Sequence, residues 1–100
     1  MRKITTYPLS RLHTEHLDIP VGSNLLYASD DNGETTLFVD IDIDEKRLEK
    51  RSVYMVETWK PVEEDILKKD RIGSFVIGHY GKVCHFFTDP VPAKAKKNGN

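Results

Sequence analysis

The sequence predicts a compact antiparallel β domain, mainly β, built as a sandwich or half-open barrel of about six or seven strands with at most one short helix. Three observations lead there. Asn32-Gly33 separates two runs rich in apolar and β-branched residues. That dipeptide favours the type I′ turn of a two-residue hairpin, because both central positions need positive φ. The remaining apolar runs are short and stop at turn-forming residues such as Pro8, Pro20 and Gly22. Finally, 100 residues with 38% apolar and 31% charged side chains supply one modest core and little surplus for a deep cavity.

The elements follow in chain order. Arg2 to Tyr7 reads as a first strand and His13 to Ile19 as a second. Asn24 to Asp31 and Glu34 to Ile43 form the hairpin. A two-residue loop makes residue i oppose residue 65 − i, counting out from Asn32-Gly33. Leu26 then faces Val39 and Ala28 faces Leu37, on a side extended by Ile41 and Ile43 that is expected to be core. Tyr27 faces Phe38 and Leu25 faces Asp40 on the other side, which begins aromatic and ends acidic at Asp40, Asp42 and Asp44. That side is expected to be partly open to water or to a partner.

Asp44 to Arg51 is charged and reads as an exposed connection, and Ser52 to Trp59 as another strand. Over 61–69 a short helix is expected. Pro61 suits a first helical position, while Glu63, Glu64 and Asp65 precede Lys68 and Lys69, a charge order that complements the helix dipole. Ile72 to His79 and Lys82 to Thr88 read as a last hairpin around Tyr80-Gly81. Residues 1–88 thus form one domain. Residues 89–100 carry two prolines, small residues and Lys94, Lys96 and Lys97, and are expected to be a disordered basic tail.

Composition narrows the function. Net charge is −1, without the basic excess of a nucleic-acid binder. One cysteine, Cys84, excludes an intrachain disulfide and fits a reducing compartment. The charged start is followed by no apolar segment of the kind a secretory signal needs, and no apolar run approaches membrane-helix length. A cytoplasmic location is expected.

Candidate chemistry is sparse. Asp40-Ile-Asp-Ile-Asp44 invites a calcium loop, but Glu45 and Arg51 stand where that loop needs Gly and Glu. Alternation explains the run better, with Ile41 and Ile43 inward and the acids outward, where an acidic row on an edge strand would discourage aggregation. His13 and His16 fall on opposite faces of a strand, as do Cys84 and His85, so neither pair grips one metal or makes a catalytic pair. No catalytic residue, metal site or cofactor is expected. Most aromatics belong to the core of so small a domain. Trp59 is read first as core, and second as a contact anchor beside Lys60, because it follows a strand end and precedes Pro61.

One resemblance runs through most of the chain. Ile4…Tyr7-Pro8-Leu9 leads into Leu17-Asp18-Ile19-Pro20-Val21-Gly22 and Leu25-Leu26. Leu37-Phe38-Val39-Asp40, Arg51-Ser52-Val53, Ile72-Gly73-Ser74-Phe75, Gly81-Lys82-Val83 and His85-Phe86-Phe87 follow. From about residue 3 to residue 88 this resembles a family of small tailed-phage proteins known as a domain of unknown function. Members often carry Gly-Thr-Gly where this chain has Glu57-Thr58-Trp59, followed here by an acidic insert from Glu63 to Asp70. The resemblance implies a phage origin and a compact β-rich domain, and no activity.

The expected function is therefore that of a non-enzymatic, phage-encoded binding protein. It would sequester a host protein or a small nucleotide-type signalling molecule in host takeover or anti-defence. Its candidate contacts are Tyr27, Phe38, Asp40, Asp42, Trp59 and Lys60, and pairing into a homo-oligomer is expected from a small domain with sheet edges to protect. Two rivals stand beside it. One is a virion or assembly accessory protein. The other is a small metal-dependent hydrolase or nuclease using Asp40 and Asp42 with His79 or His85.

Overall fold

A computed structural model of the chain describes residues 1–31, 33–77 and 81–90. Seven strands and one short helix follow in the order β1 (Arg2–Pro8), β2 (Thr14–Pro20), β3 (Asn24–Asp31), β4 (Glu34–Asp42), β5 (Leu48–Glu57), α1 (Glu64–Leu67), β6 (Asp70–Ile77) and β7 (Lys82–Thr88). The strands form two antiparallel sheets, three-stranded in the order β1-β4-β3 and four-stranded in the order β2-β5-β7-β6. This is the expected mainly β architecture. The two sheets are packed layers, not a closed barrel.

Alternation explains the layering. Leu37 and Val39 of β4 are fully buried, as are Ile19 of β2 and Phe86 of β7. With Ala28, Val53, Ile72 and Cys84 they form one core between the sheets. The opposite positions on each strand point outward, so each sheet has an outer face that the core does not use. Where a polar side chain is buried it finds a partner. The hydroxyl of Thr88 donates to the Ser52 carbonyl at 2.8 Å, and that of Ser23 donates to the Pro20 carbonyl at 2.6 Å.

The β3–β4 hairpin keeps the expected pairing from Asp31–Glu34 to Tyr27–Phe38, and Gly33 has a φ of 83°. Asn32 lies outside the described residues. Beyond Tyr27 the expectation fails, because Leu26 is bulged out and Leu25 pairs with Val39, not Asp40. The bulge moves Leu25 to the core side and leaves Leu26 exposed, since one extra residue inverts which side chains face inward. Ile43, expected in the core, lies past the end of β4 and is exposed.

The segment from Asp44 to Arg51 is not wholly a connection. Leu48 to Arg51 already belong to β5 and pair with β2. Two of its charged side chains are satisfied by the loop after β2. Arg51 donates to the Ser23 carbonyl at 2.9 Å, and the Glu49 carboxylate accepts from the Gly22 amide at 3.0 Å.

The sheets approach most closely where β3 meets β6. A Cβ on Gly73 would stand 2.5 Å from the Ala28 carbonyl oxygen, so only glycine allows this contact. The strand β6 is bulged at the same place, between Arg71 and Gly73. The β6–β7 turn includes 78–80 and the expected tail includes 91–100, both outside the described residues.

Candidate functional site

The outer face of the three-stranded sheet gathers most of the candidate contacts. On β4 the outward positions are Phe38, Asp40 and Asp42, because Leu37, Val39 and Ile41 turn inward. Register places Tyr27 of β3 and Thr6 of β1 beside Phe38, and Asn24 and Ile4 beside Asp40. The Tyr27 and Phe38 rings stack, with centroids 4.7 Å apart and planes 16° from parallel. Tyr27 remains 47% exposed and Ile4 64% exposed. An aromatic pair next to an uncovered isoleucine, rimmed by charge, has the composition of a contact patch.

The acidic row is on the central strand of its sheet, where it guards no edge, and it is paired in place. Arg2 donates from Nε to Asp40 at 3.0 Å and from Nη2 to the Asp40 carbonyl at 3.2 Å. Asn24 donates to the second Asp40 oxygen at 3.3 Å. The hydrogen bond from Arg2, helped by Asn24, holds the Asp40 carboxyl below the ordinary carboxylate range. Asp42 accepts from the Asp44 amide at 3.0 Å and lies 3.6 Å from the Met1 amine. That amine donates to Asp44 at 3.0 Å, and Asp44 more than Asp42 raises its pKa.

Trp59 and Lys60 lie elsewhere, in the turn after β5. The Lys60 amide donates to the Glu57 carbonyl at 3.2 Å and closes a four-residue turn whose third residue, Trp59, has a φ of 76°. Glycine is favoured at that turn position, because a side chain strains there. It is also where the resemblance expects the second glycine of Gly-Thr-Gly. Trp59 is not core: its side chain is 98% exposed. Beside it, the 60–66 segment roofs a cleft of about 200 Å³ over β5 and the start of β2. Val56, Val62 and Ile66 supply apolar walls, with Thr14, Lys60 and Glu63 among the polar lining.

The same segment covers the middle of the four-stranded sheet's outer face. Val56 and Phe87 point away from the core yet are only 9% and 7% exposed. Lys69 sits 4.9 Å above the Tyr54 ring centroid and bridges to Asp89, which also accepts from the Tyr54 hydroxyl at 3.1 Å.

Sequence reasoning missed one constellation on that face. The imidazole of His85 lies between two hydroxyls, with Nδ1 2.7 Å from Ser74 Oγ and Nε2 2.9 Å from Thr58 Oγ1. Arg71 donates to Ser74 Oγ at 3.3 Å. With Nε2 protonated the Ser74 hydroxyl donates to Nδ1 and Nε2–H donates to Thr58 Oγ1, and the other tautomer reverses both bonds. Ser74 and His85 are cross-strand partners on β6 and β7, so the register of the last hairpin was the signal that could have found them. The geometry puts a hydroxyl within reach of a base. A neutral Thr58, not a carboxylate, orients the imidazole, and the three side chains tie the turn after β5 to β7 and β6 across the face. Asp40 and Asp42 are on the opposite outer face, so they do not join His85. His79 lies outside the described residues.

Cys84 points inward at 3% exposure, and burial raises its thiol pKa. Among the described residues no group of three His, Cys, Asp or Glu side chains is placed to hold a metal ion. Among them too, no helix is long and apolar enough to cross a membrane.

No curated protein and no solved structure matches this chain. A family model does, over residues 1–97. The chain belongs to the family described as a domain of unknown function (DUF7352).

Proposed function

We propose that this chain is a non-enzymatic binding protein that holds a protein partner on the outer face of its three-stranded sheet. The observation that carries this reading is the stacked Tyr27–Phe38 pair beside exposed Ile4, on a face that no other element covers among the described residues. Aromatic side chains flanked by paired charge make good anchors, because they bring large rigid area and lose little entropy on contact. Arg2 and Asp40, already paired at 3.0 Å, would form the rim. A macromolecular partner suits this face better than a small ligand, since the sheet is open there. The cleft under 60–66, at about 200 Å³, is smaller than the roughly 300 Å³ at which ligand sites begin.

The resemblance to tailed-phage proteins supports a phage setting. There the partner would be a host protein, sequestered in the host cytoplasm for takeover or counter-defence. The test is a capture experiment from infected-cell lysate with matched baits. The wild-type chain and a Tyr27→Ser/Phe38→Ser double variant are compared by quantitative mass spectrometry after both are shown to be folded. The reading expects a companion enriched by the first and lost with the second. A companion retained equally by both removes this face from the account.

A further inference from the structure

Trp59 is held almost wholly in water, 98% exposed, at a turn position where its backbone is strained, and packing among the described residues does not account for it. Burial is the ordinary fate of this side chain. Strain of this kind persists where the surrounding structure or a function holds it. Trp59 projects from the turn beside the cleft beneath the 60–66 segment, and the first and last residues of that turn, Glu57 and Lys60, both line the cleft. The cleft and the indole match in size: an enclosed apolar cavity of roughly 150 Å³ accepts a benzene ring, and this open, partly polar cleft holds about 200 Å³. They also match in chemistry. Val56, Val62 and Ile66 offer apolar walls, and the Thr14 hydroxyl and the Glu63 carboxylate are acceptors for an indole N–H.

We propose that Trp59 fills the cleft of a second copy of this chain, reciprocally, in a two-fold dimer. A knob adjacent to its own hole is the arrangement a two-fold axis requires, because one patch must complement itself. Charge points to the same occupant. Lys60 and Glu63 both line the cleft, and neither makes an ion pair among the described residues. In the reciprocal dimer the Lys60 of each copy meets the Glu63 of the other. This surface is separate from the Tyr27–Phe38 face, so each can fail without the other.

The chain has a single tryptophan, which makes its emission a direct report on this site. Sedimentation and fluorescence are followed together over a dilution series. The wild type is expected to pass from monomer to dimer, with emission shifting to the blue as it does so. Trp59→Gly, which relaxes the turn, is expected to stay monomeric and folded. Lys60→Glu and Glu63→Lys chains are each expected to be monomeric alone, by like-charge repulsion, and to dimerise when mixed. Tyr27→Ser is expected to dimerise as the wild type does. A wild-type monomer with solvent-exposed emission at every concentration overturns the proposal. So does a Trp59→Gly chain that dimerises like the wild type, or a charge-swapped mixture that does not pair.

Discussion

The two outer faces of the sandwich differ in what lies over them. The four-stranded sheet carries Val56, Phe87 and Tyr54 outward; Ile66 of the 60–69 segment shares a cleft with Val56, and Lys69 lies over the Tyr54 ring. The three-stranded sheet carries Tyr27, Phe38 and Ile4 outward, and none of the described residues folds over them. Both faces begin with the same problem of apolar side chains outside the core. On the four-stranded sheet much of it is solved within the chain, although Val76 stays 53% exposed; on the three-stranded sheet the proposed partner would solve it. Burial of an outward residue therefore separates structural side chains from candidate contacts more sharply than hydrophobicity does.

The largest test of this contrast is a pair of truncations. Phe87→Ala on the covered face is expected to cost about 3 kcal/mol of stability in urea unfolding, as a buried ring should. Tyr27→Ala is expected to lose no more than the stacking contribution, about 1 kcal/mol. Equal losses would mean that Tyr27 is as structural as Phe87. Next in size is Gly73→Ala, which drives a Cβ to 2.5 Å from the Ala28 carbonyl oxygen where β6 crosses β3. Overpacking of that kind is expected to cost about 2 kcal/mol by the same measurement.

Trp59→Gly has the opposite sign. Removing a strained left-handed residue whose side chain touches little should stabilise the monomer by about 1 kcal/mol. A loss instead would show that the indole packs on its own chain. The smallest effect lies between the faces, in the turn joining β4 to β5. There Arg47 donates to the Glu45 carboxylate through its side chain, at 2.7 and 3.1 Å, and through its amide, at 3.0 Å. These bonds lower the Glu45 pKa from 4.5 to about 2. A depressed folded-state pKa gives a contribution that is full above 4.5 and lost as pH falls through about 2. Arg47→Ala is expected to return the Glu45 titration toward 4.5, read by carboxyl NMR, with both outer faces unperturbed.

Much of the fold was legible because local signals agreed. Asn32-Gly33 placed the hairpin, prolines and glycines marked strand ends, and alternation separated Leu37 and Val39 from Phe38 and Asp40. What escaped depended on distant partners. Leu25 and Leu26 are both apolar, so sequence alone could not say which one the bulge would push outward. Glu49 and Arg51 looked like a solvated connection because the groups that satisfy them, at Gly22 and Ser23, lie more than a strand away in sequence. Residue type alone assigns Trp59 to the core, because tryptophan is usually buried, whereas the turn geometry that exposes it is set by backbone. At the candidate site, the Tyr27–Phe38 pairing followed from register. The neutralisation of Asp40 by Arg2 did not, because it needs β1 to lie beside β4.

The central claim is that the uncovered face is the one that meets a partner protein other than a second copy of this chain, and site-specific photocrosslinking tests it most directly. Benzoylphenylalanine is placed at Ile4 on the uncovered face or at Val76 on the outer side of β6, positions 64% and 53% exposed. Both chains are then irradiated in infected-cell lysate. A discrete adduct from position 4 and none from position 76 is the predicted result. An adduct from position 76 alone, or from neither, would contradict the account.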